Sequence, residues 1–349
     1  MKINIKNIKN IKIKSICATL FISLFLSCSN GIEELEKRNI FLSSLANLGN
    51  GFLSVFTSFG DMFTDTLSIR ANTKKSDINR YFNDIEKTMI SIKEKLKAEV
   101  AKNGNYEKIK TIVDKFITDT LDKIAAGAKE AAKGAEGEVV LGGATAGGDA
   151  APADITSVSS LIEGIKTIVE VVLKDKGNAE ANGTEDNDKK DIGKLFSKAS
   201  DNGSEVEAAK ASASIGAVSG ADILKAIVSS DKATENKDID QAGNSAEIAT
   251  AKNSGSTKET KKKDAVIAGG IALRAMAKGG KFATKSSETK SAHAINGVAA
   301  SAVTKVLNTL IIAIRSTVDI GLKKINDVLA TVTHEDKSAD VTTPAERNS

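Results

Sequence analysis

Apolar side chains recur at helical spacing through most of this 349-residue chain, and the places where the rhythm stops divide it. Over residues 76–102, Ile78, Phe82, Ile85, Met89, Ile92 and Leu96 alternate steps of four and three. That spacing makes a seam for packing along another helix. Ser76 or Asp77 can cap this helix, and the Lys-Asn-Gly-Asn stretch at 102–105 supplies its stop. A second stripe follows at once in Ile109, Val113, Phe116 and Ile124, so the two helices should be antiparallel neighbours. Residues 155–172 repeat the pattern at Ile155, Val158, Ile162, Ile165, Val169 and Val172, with Asp154 as the expected N-cap.

Upstream, residues 51–69 place Phe52, Val55, Phe56, Phe59, Phe63 and Leu67 on one stripe. A membrane-surface helix would carry Lys or Arg on its polar face, whereas this one shows Asp61, Asp65, Ser and Thr. The stripe therefore reads as core-facing, with Gly49 and Gly51 separating it from the helix before. Residues 264–283 are rich in small residues (Gly269, Gly270, Ala272, Ala275, Ala277). Such a helix gains little from propensity and needs close neighbours, which predicts burial. A long helix over about 291–332 turns Val303, Leu307, Leu310, Ile314, Val318, Ile325 and Val332 inward, and shorter helical pieces are expected near 204–217 and 221–229.

Three stretches break the rhythm: 127–153, 174–191 and 231–263. They are polar or Gly/Ala-rich, and the last has only Ile239 and Ile248 as large apolar residues. Segments of this kind read as surface loops or locally disordered chain that buries little. Two prolines and no tryptophan complete the case for an all-α fold: an elongated antiparallel helical bundle with long polar, Gly/Ala-rich surface loops.

The N-terminus obeys different rules. Lys2, Lys6, Lys9, Lys12 and Lys14 precede an uncharged apolar run, Ile16 to Leu26, that is followed by Ser27 and Cys28. This is the layout of a signal peptide, and a small residue directly before a cysteine is the bacterial lipoprotein variant. The expected organisation is a lipoprotein signal peptide over 1–27, a helical domain over 28–333 and a flexible C-terminal tail over 334–349. Cys28 is the expected lipidation site, whose acyl chains would hold the protein to membrane lipid. Loss of residues 1–27 removes five of the 49 basic residues and none of the 45 acidic ones, leaving a formal net charge of −1. The mature chain then has no global footprint for nucleic acid.

Candidate chemistry is sparse. The two histidines, His293 and His334, have no cysteine partner once Cys17 is removed and Cys28 is acylated. The Ala-Lys-Gly-Gly-Lys-Phe stretch at 277–282 lacks the spacing of a phosphate loop. The acidic run at 184–191 has Asp191 where a calcium loop requires glycine. No catalytic, cofactor-binding or metal-binding residue is expected, and the chain does not read as an enzyme.

The lipoprotein start, the helix pair and the segments at 261–283 (KKKDAVIAGGIALRAMAKGGKFA) and 302–332 together resemble the variable large proteins of relapsing-fever Borrelia. They are also similar to the related Lyme-disease surface antigen VlsE. The stretch 261–285 looks like the family's sixth invariant region, while the three polar stretches match its variable segments in position and polarity. The resemblance implies an outer-membrane lipoprotein facing outside, with termini near the membrane and variable loops at the far end. It also implies host antibodies as partners and immune evasion by antigenic variation as the role. Two other readings are an adhesin that binds a host protein or glycan, and an envelope protein with a purely shielding role.

Overall fold

The computed structural model describes residues 32–62, 69–103, 106–199, 202–253, 260, 262–288 and 290–333. Among these the regular elements are helices: α1 (Ile32–Met62), α2 (Lys75–Lys102), α3 (Glu107–Phe116), α4 (Asp122–Gly134), α5 (Ile155–Val172) and α6 (Asp186–Lys190). They continue with α7 (Glu205–Gly216), α8 (Gly220–Val228), α9 (Ser245–Ala249), α10 (Asp264–Met276) and α11 (Ser291–Leu329). A π-turn at Ile117–Leu121 joins α3 to α4, and a 3-10 turn at Asp191–Phe196 follows α6. Contacts divide the chain into two units, one from Met1–Phe56, Leu96–Asp114 and Leu322–Ser349, the other from Thr57–Lys95 and Lys115–Gly321. Cys28, Phe63, Leu67 and the tail 334–349 lie outside the described residues.

The first unit buries Leu45, Leu48, Phe52 and Val55 of α1 together with Val100, Ile109, Val113, Leu322 and Ile325. Phe41 meets Tyr106 edge-on at 5.8 Å between ring centres. α1 runs unbroken through Gly49 and Gly51, contrary to the break expected there. The two glycines mark close neighbours instead. A Cβ on Gly49 would sit 3.3 Å from Leu329, and one on Gly51 would collide with the Glu99 side chain at 2.1 Å.

In the second unit the α2 seam is buried as expected, with Ile78, Phe82, Ile85, Met89 and Ile92 each no more than 2 % exposed. Three side-chain links fix α2 and α4 antiparallel: Lys93 to Asp122 at 2.7 Å, Glu86 to Lys129 at 3.9 Å, and Asn79 to the Ala132 carbonyl at 2.7 Å. The Tyr81 hydroxyl donates to the Leu307 carbonyl of α11 at 3.0 Å. Phe116, Ile117, Leu121 and Ile124 are all buried across the junction of α3 and α4. The π-turn inserts one residue and resets the stripe.

The stretches expected to bury little require a correction. Residues 127–134 are the last two turns of α4, with Gly127, Ala128, Ala131, Ala132 and Gly134 buried. Small residues serve a close helix crossing there. A Cβ on Gly164 of α5 would lie 2.3 Å from the Ala131 nitrogen, and one on Gly127 would lie 2.7 Å from the Gly164 carbonyl. Within 231–263, Ala233, Ile239, Ala242, Ile248, Ala249 and Ala251 are buried. Their alanines fill space between neighbouring backbones, so low side-chain volume did not mean low burial.

Side chains cap three helices, and the cap at Asp154 is the one the sequence predicts. Asp154 accepts from the Ser157 amide at 2.8 Å, and Ser204 with Glu207 and Ser219 with Asp222 form capping boxes at α7 and α8. α2 differs: the Lys75 and Ser76 amides donate to the Val139 and Gly137 carbonyls at 3.1 and 2.9 Å, while Asp77 accepts from the Lys74 amide. An irregular segment, and not Ser76, closes that helix start. Every residue of α10 except Val266 is buried, as the sequence predicts, but the helix stops at Met276 and not at 283, and Lys278, Gly279 and Lys281 are exposed; Val303, Leu307, Leu310, Ile314, Val318 and Ile325 of α11 are fully buried.

Candidate functional site

The candidate surface is made of the irregular segments, and its geometry follows from what lies beneath them. The outer face carries Glu136, Glu138, Thr145, Asp149, Lys174, Asp175, Glu180, Asp186, Asp188, Asp231, Lys232, Glu235, Asp240 and Gln241, all exposed. These side chains are mostly polar and reach solvent. Their backbones do not hang free. Ala151 and Lys281 exchange two main-chain hydrogen bonds at 3.0 and 3.1 Å. Phe282 donates to Gly142, Ala283 to Leu195, Thr284 to Gly148, Ala150 to Ser197 and Ala153 to Ala249, at 2.9 to 3.2 Å. Segments distant in sequence are thus stitched to one another by main chain.

Under this cover lies α10, with a buried charge near each end. At its start Asp264 accepts from the Gly183 amide at 2.7 Å, the Thr184 amide at 2.8 Å, the Thr184 hydroxyl at 2.7 Å and the Ser214 hydroxyl at 2.6 Å. Burial raises its pKa, but these donors outweigh burial and hold the carboxyl below its usual range. Near the other end the Arg274 guanidinium donates to the carbonyls of Lys281 at 2.8 Å, Ala249 at 3.1 Å and Ala251 at 2.9 Å. It lies over the Phe196 ring at 4.8 Å and near Phe282 at 5.6 Å, a cation–π pairing. Burial pushes it down to about 9, which leaves it charged at neutral pH.

Lys75, from the first turn of α2, reaches the same end. Its Nζ donates to the carbonyls of Arg274, Ala275 and Ala277 at 3.0, 2.6 and 2.7 Å. These are the orphan carbonyls at and just past the C-terminal end of α10, where a cation also complements the helix dipole. Burial, and then the positive charges of Arg274 and Lys281, push its ammonium down to about 7. Close packing against α9 completes the enclosure: a Cβ on Gly270 would meet Ile248 at 2.2 Å, and one on Gly269 would meet Ser245 at 2.5 Å.

Sequence reasoning missed Lys75, Arg274, Asp264 and Lys189. Lys189, in a stretch read as wholly solvated, is 1 % exposed and bonds Asn182 at 2.6 Å and Asp186 at 2.9 Å. Arg274 did leave a signal, being the one charge in the thirteen-residue stretch 265–277. Lys75 left none, because it stands in an ordinary Lys-Lys-Ser-Asp turn.

Other features carry less. Among the described residues no group of His, Cys, Asp and Glu is placed to hold a metal ion. An open groove of about 660 Å³ is lined by residues 69–71 and by α7 and α11, including Ser212, Ser301, Thr304, Lys305 and Asn308. Arg38–Phe59 and α11 are long and apolar enough to cross a membrane by length and composition, but the apolar face of α11 is spent inside the fold.

Comparison with known proteins is consistent over almost the whole chain. The Borrelia lipoprotein family matches residues 52–329. Variable large protein 4 of Borrelia hermsii is 58% identical over 345 residues, covering 96% of this chain and 97% of that protein. Variable large protein 17 of the same organism is 55% identical over 343 residues, covering 96% of each. Among solved structures, the Lyme disease variable surface antigen VlsE of Borrelia burgdorferi matches with a TM-score of 0.72 and 34% identity, over 83% of this chain and 98% of that one.

Proposed function

The chain belongs to the Borrelia lipoprotein family, beside its variable large proteins, and we propose from that membership that it is a surface antigen of the outer membrane. Residues 1–27 are its signal peptide and are removed. Cys28 becomes the acylated N-terminus, carrying palmitate among its acyl chains, and anchors the helical domain 28–333 facing outside, followed by the tail 334–349. Host antibodies are its partners, and its role is immune evasion by antigenic variation.

One observation supports this reading above the others: polar side chains cover irregular segments whose backbones are fixed by main-chain bonds, over a helix that is almost wholly buried. Exposed side chains without core partners can change at small cost, usually within about 0.5 kcal/mol each. Those facing α10 cannot. Such a surface can alter its appearance while keeping one fold.

Two experiments test the proposal. Radioactive palmitate should label the native protein in growing cells and fail to label Cys28→Ala; equal label in both would remove the anchor. Antisera raised on whole cells should bind synthetic peptides from the exposed segments around 136–149, 174–188 and 231–241. Sera that recognise none of them would count against an antigenic surface there.

A further inference from the structure

Lys75 and Arg274 are two cations buried side by side, and among the described residues neither has a carboxylate as a hydrogen-bond partner, which is an unusual setting for buried charge. Their partners are main-chain carbonyls: those of residues 274, 275 and 277 for Lys75, and those of 249, 251 and 281 for Arg274. We propose that Arg274, on a helix end that Lys75 pins to α2 through the carbonyls of 274, 275 and 277, is a sequence-independent anchor, gripping the covering segments at 249–251 and 281 by their backbone so that the exposed side chains of those segments are free to change. The inference rests on the reading of the chain as an antigen whose exposed segments vary, and adds to it the device that makes variation compatible with one fold.

The physical argument is short. A carbonyl oxygen is present at every residue, whatever the side chain. A loop held by side-chain salt bridges must keep its charged residues, whereas a loop held by a buried cation through its carbonyls need only keep its path. The path is also supported by the pairing of Ala151 with Lys281, which brings the Lys281 carbonyl within 2.8 Å of the Arg274 Nε. Among the gripped positions only Lys281 presents its side chain to solvent, so the freedom to vary belongs to it and to the exposed residues beside the grip. Lys281 is exposed, and its neighbours Lys252 and Lys278 are exposed too, while the alanines at 249, 251, 275 and 277 point into the interior.

Hydrogen exchange on the full chain, followed by mass spectrometry of peptides, tests the anchor. In the triple variant Lys252→Ala, Lys278→Ala and Lys281→Ala, protection over 249–253 and 277–284 should stay within twofold of wild type. In Lys75→Met, exchange over 274–284 should rise at least tenfold, while residues 301–318 of α11 change less than twofold. Arg274→Lys keeps a charge but loses the guanidinium fork, and should loosen 249–253 at least tenfold with the same indifference in α11. If Lys75→Met does not fold, Arg274→Lys decides alone. The proposal is overturned if the folded anchor variants keep wild-type protection, if their loosening extends equally to α11, or if the triple variant loosens as much as they do. No antibody enters this experiment, so its failure would leave the antigen reading standing, and failure of the serum test would leave the anchor standing.

Discussion

The α2 seam and the cover over α10 solve the same problem, holding chain in place, by opposite means. Along α2 the position of the helix is set by side-chain shape: Ile78, Phe82, Ile85, Met89 and Ile92 fill a groove and leave almost no surface. Over α10 the positions of residues 137–154 and 277–284 are set by main-chain hydrogen bonds and two buried cations. The first arrangement depends on which residues are present, and the second mainly on where the backbone runs. On the proposed function, the second kind of restraint outside and the first kind inside would let the outer face change while the core stays fixed.

The comparison can be broken most severely at the seam. Ile85→Asp places an unpaired carboxylate where the native side chain is 2 % exposed, and should cost about 4 kcal/mol, read by urea denaturation. An unchanged midpoint would mean that the seam does not carry the fold. Next in size is the α4–α5 crossing. Gly164→Val would drive side-chain atoms into the Ala131 backbone, and a loss of about 3 kcal/mol is expected from overpacking. A neutral result would deny that small residues are there for close approach.

A third test uses pH. The Lys75 ammonium is pushed from the ordinary lysine value of 10.5 down to about 7 in the folded protein. Between those values the unfolded chain holds the extra proton, so stability should rise as pH climbs from 7 toward 10.5 and level off below 7. The rise is at most about 1.4 kcal/mol per pH unit. The neutral amine still has two N–H donors for its three carbonyls. Melting temperatures of wild type and Lys75→Met between pH 6 and 9 would check this, the climb being confined to wild type. An identical profile in both would show that Lys75 does not titrate there. The smallest effect belongs to the surface: Glu138→Ala, Asp175→Ala and Asp240→Ala together should leave the urea midpoint close to that of wild type. A large loss would erase the distinction between the two regions.

Much of the inner architecture was legible from spacing alone. The stripes of α2, α5 and α11, the N-cap at Asp154 and the burial of 264–276 follow from apolar periodicity and from the need of Gly/Ala-rich helices for close neighbours. The cover was not legible in the same way. Its order comes from main-chain bonds between residues far apart in sequence, such as Ala151 with Lys281, and a carbonyl leaves no mark in the letter code. Gly49, Gly51 and Gly127 misled for a related reason, since a glycine that ends a helix and a glycine that admits a neighbour look alike until the neighbour is known. Lys75 illustrates the limit most clearly. As a residue in a charged turn it reads as solvated, and only the three carbonyls brought to it by α10 explain its burial.

The central claim is that α10 is concealed while the segments above it are presented. Serum raised against a synthetic peptide of residues 264–276 measures this most directly, applied in parallel to denatured protein and to living cells. The account predicts strong binding to the denatured chain and no more than background labelling of intact cells, because 264–276 is buried apart from Val266 and its ends are held by Asp264, Arg274 and Lys75. Bright labelling of intact cells by that serum, at a level matching sera against residues 174–188 or 231–241, would contradict it.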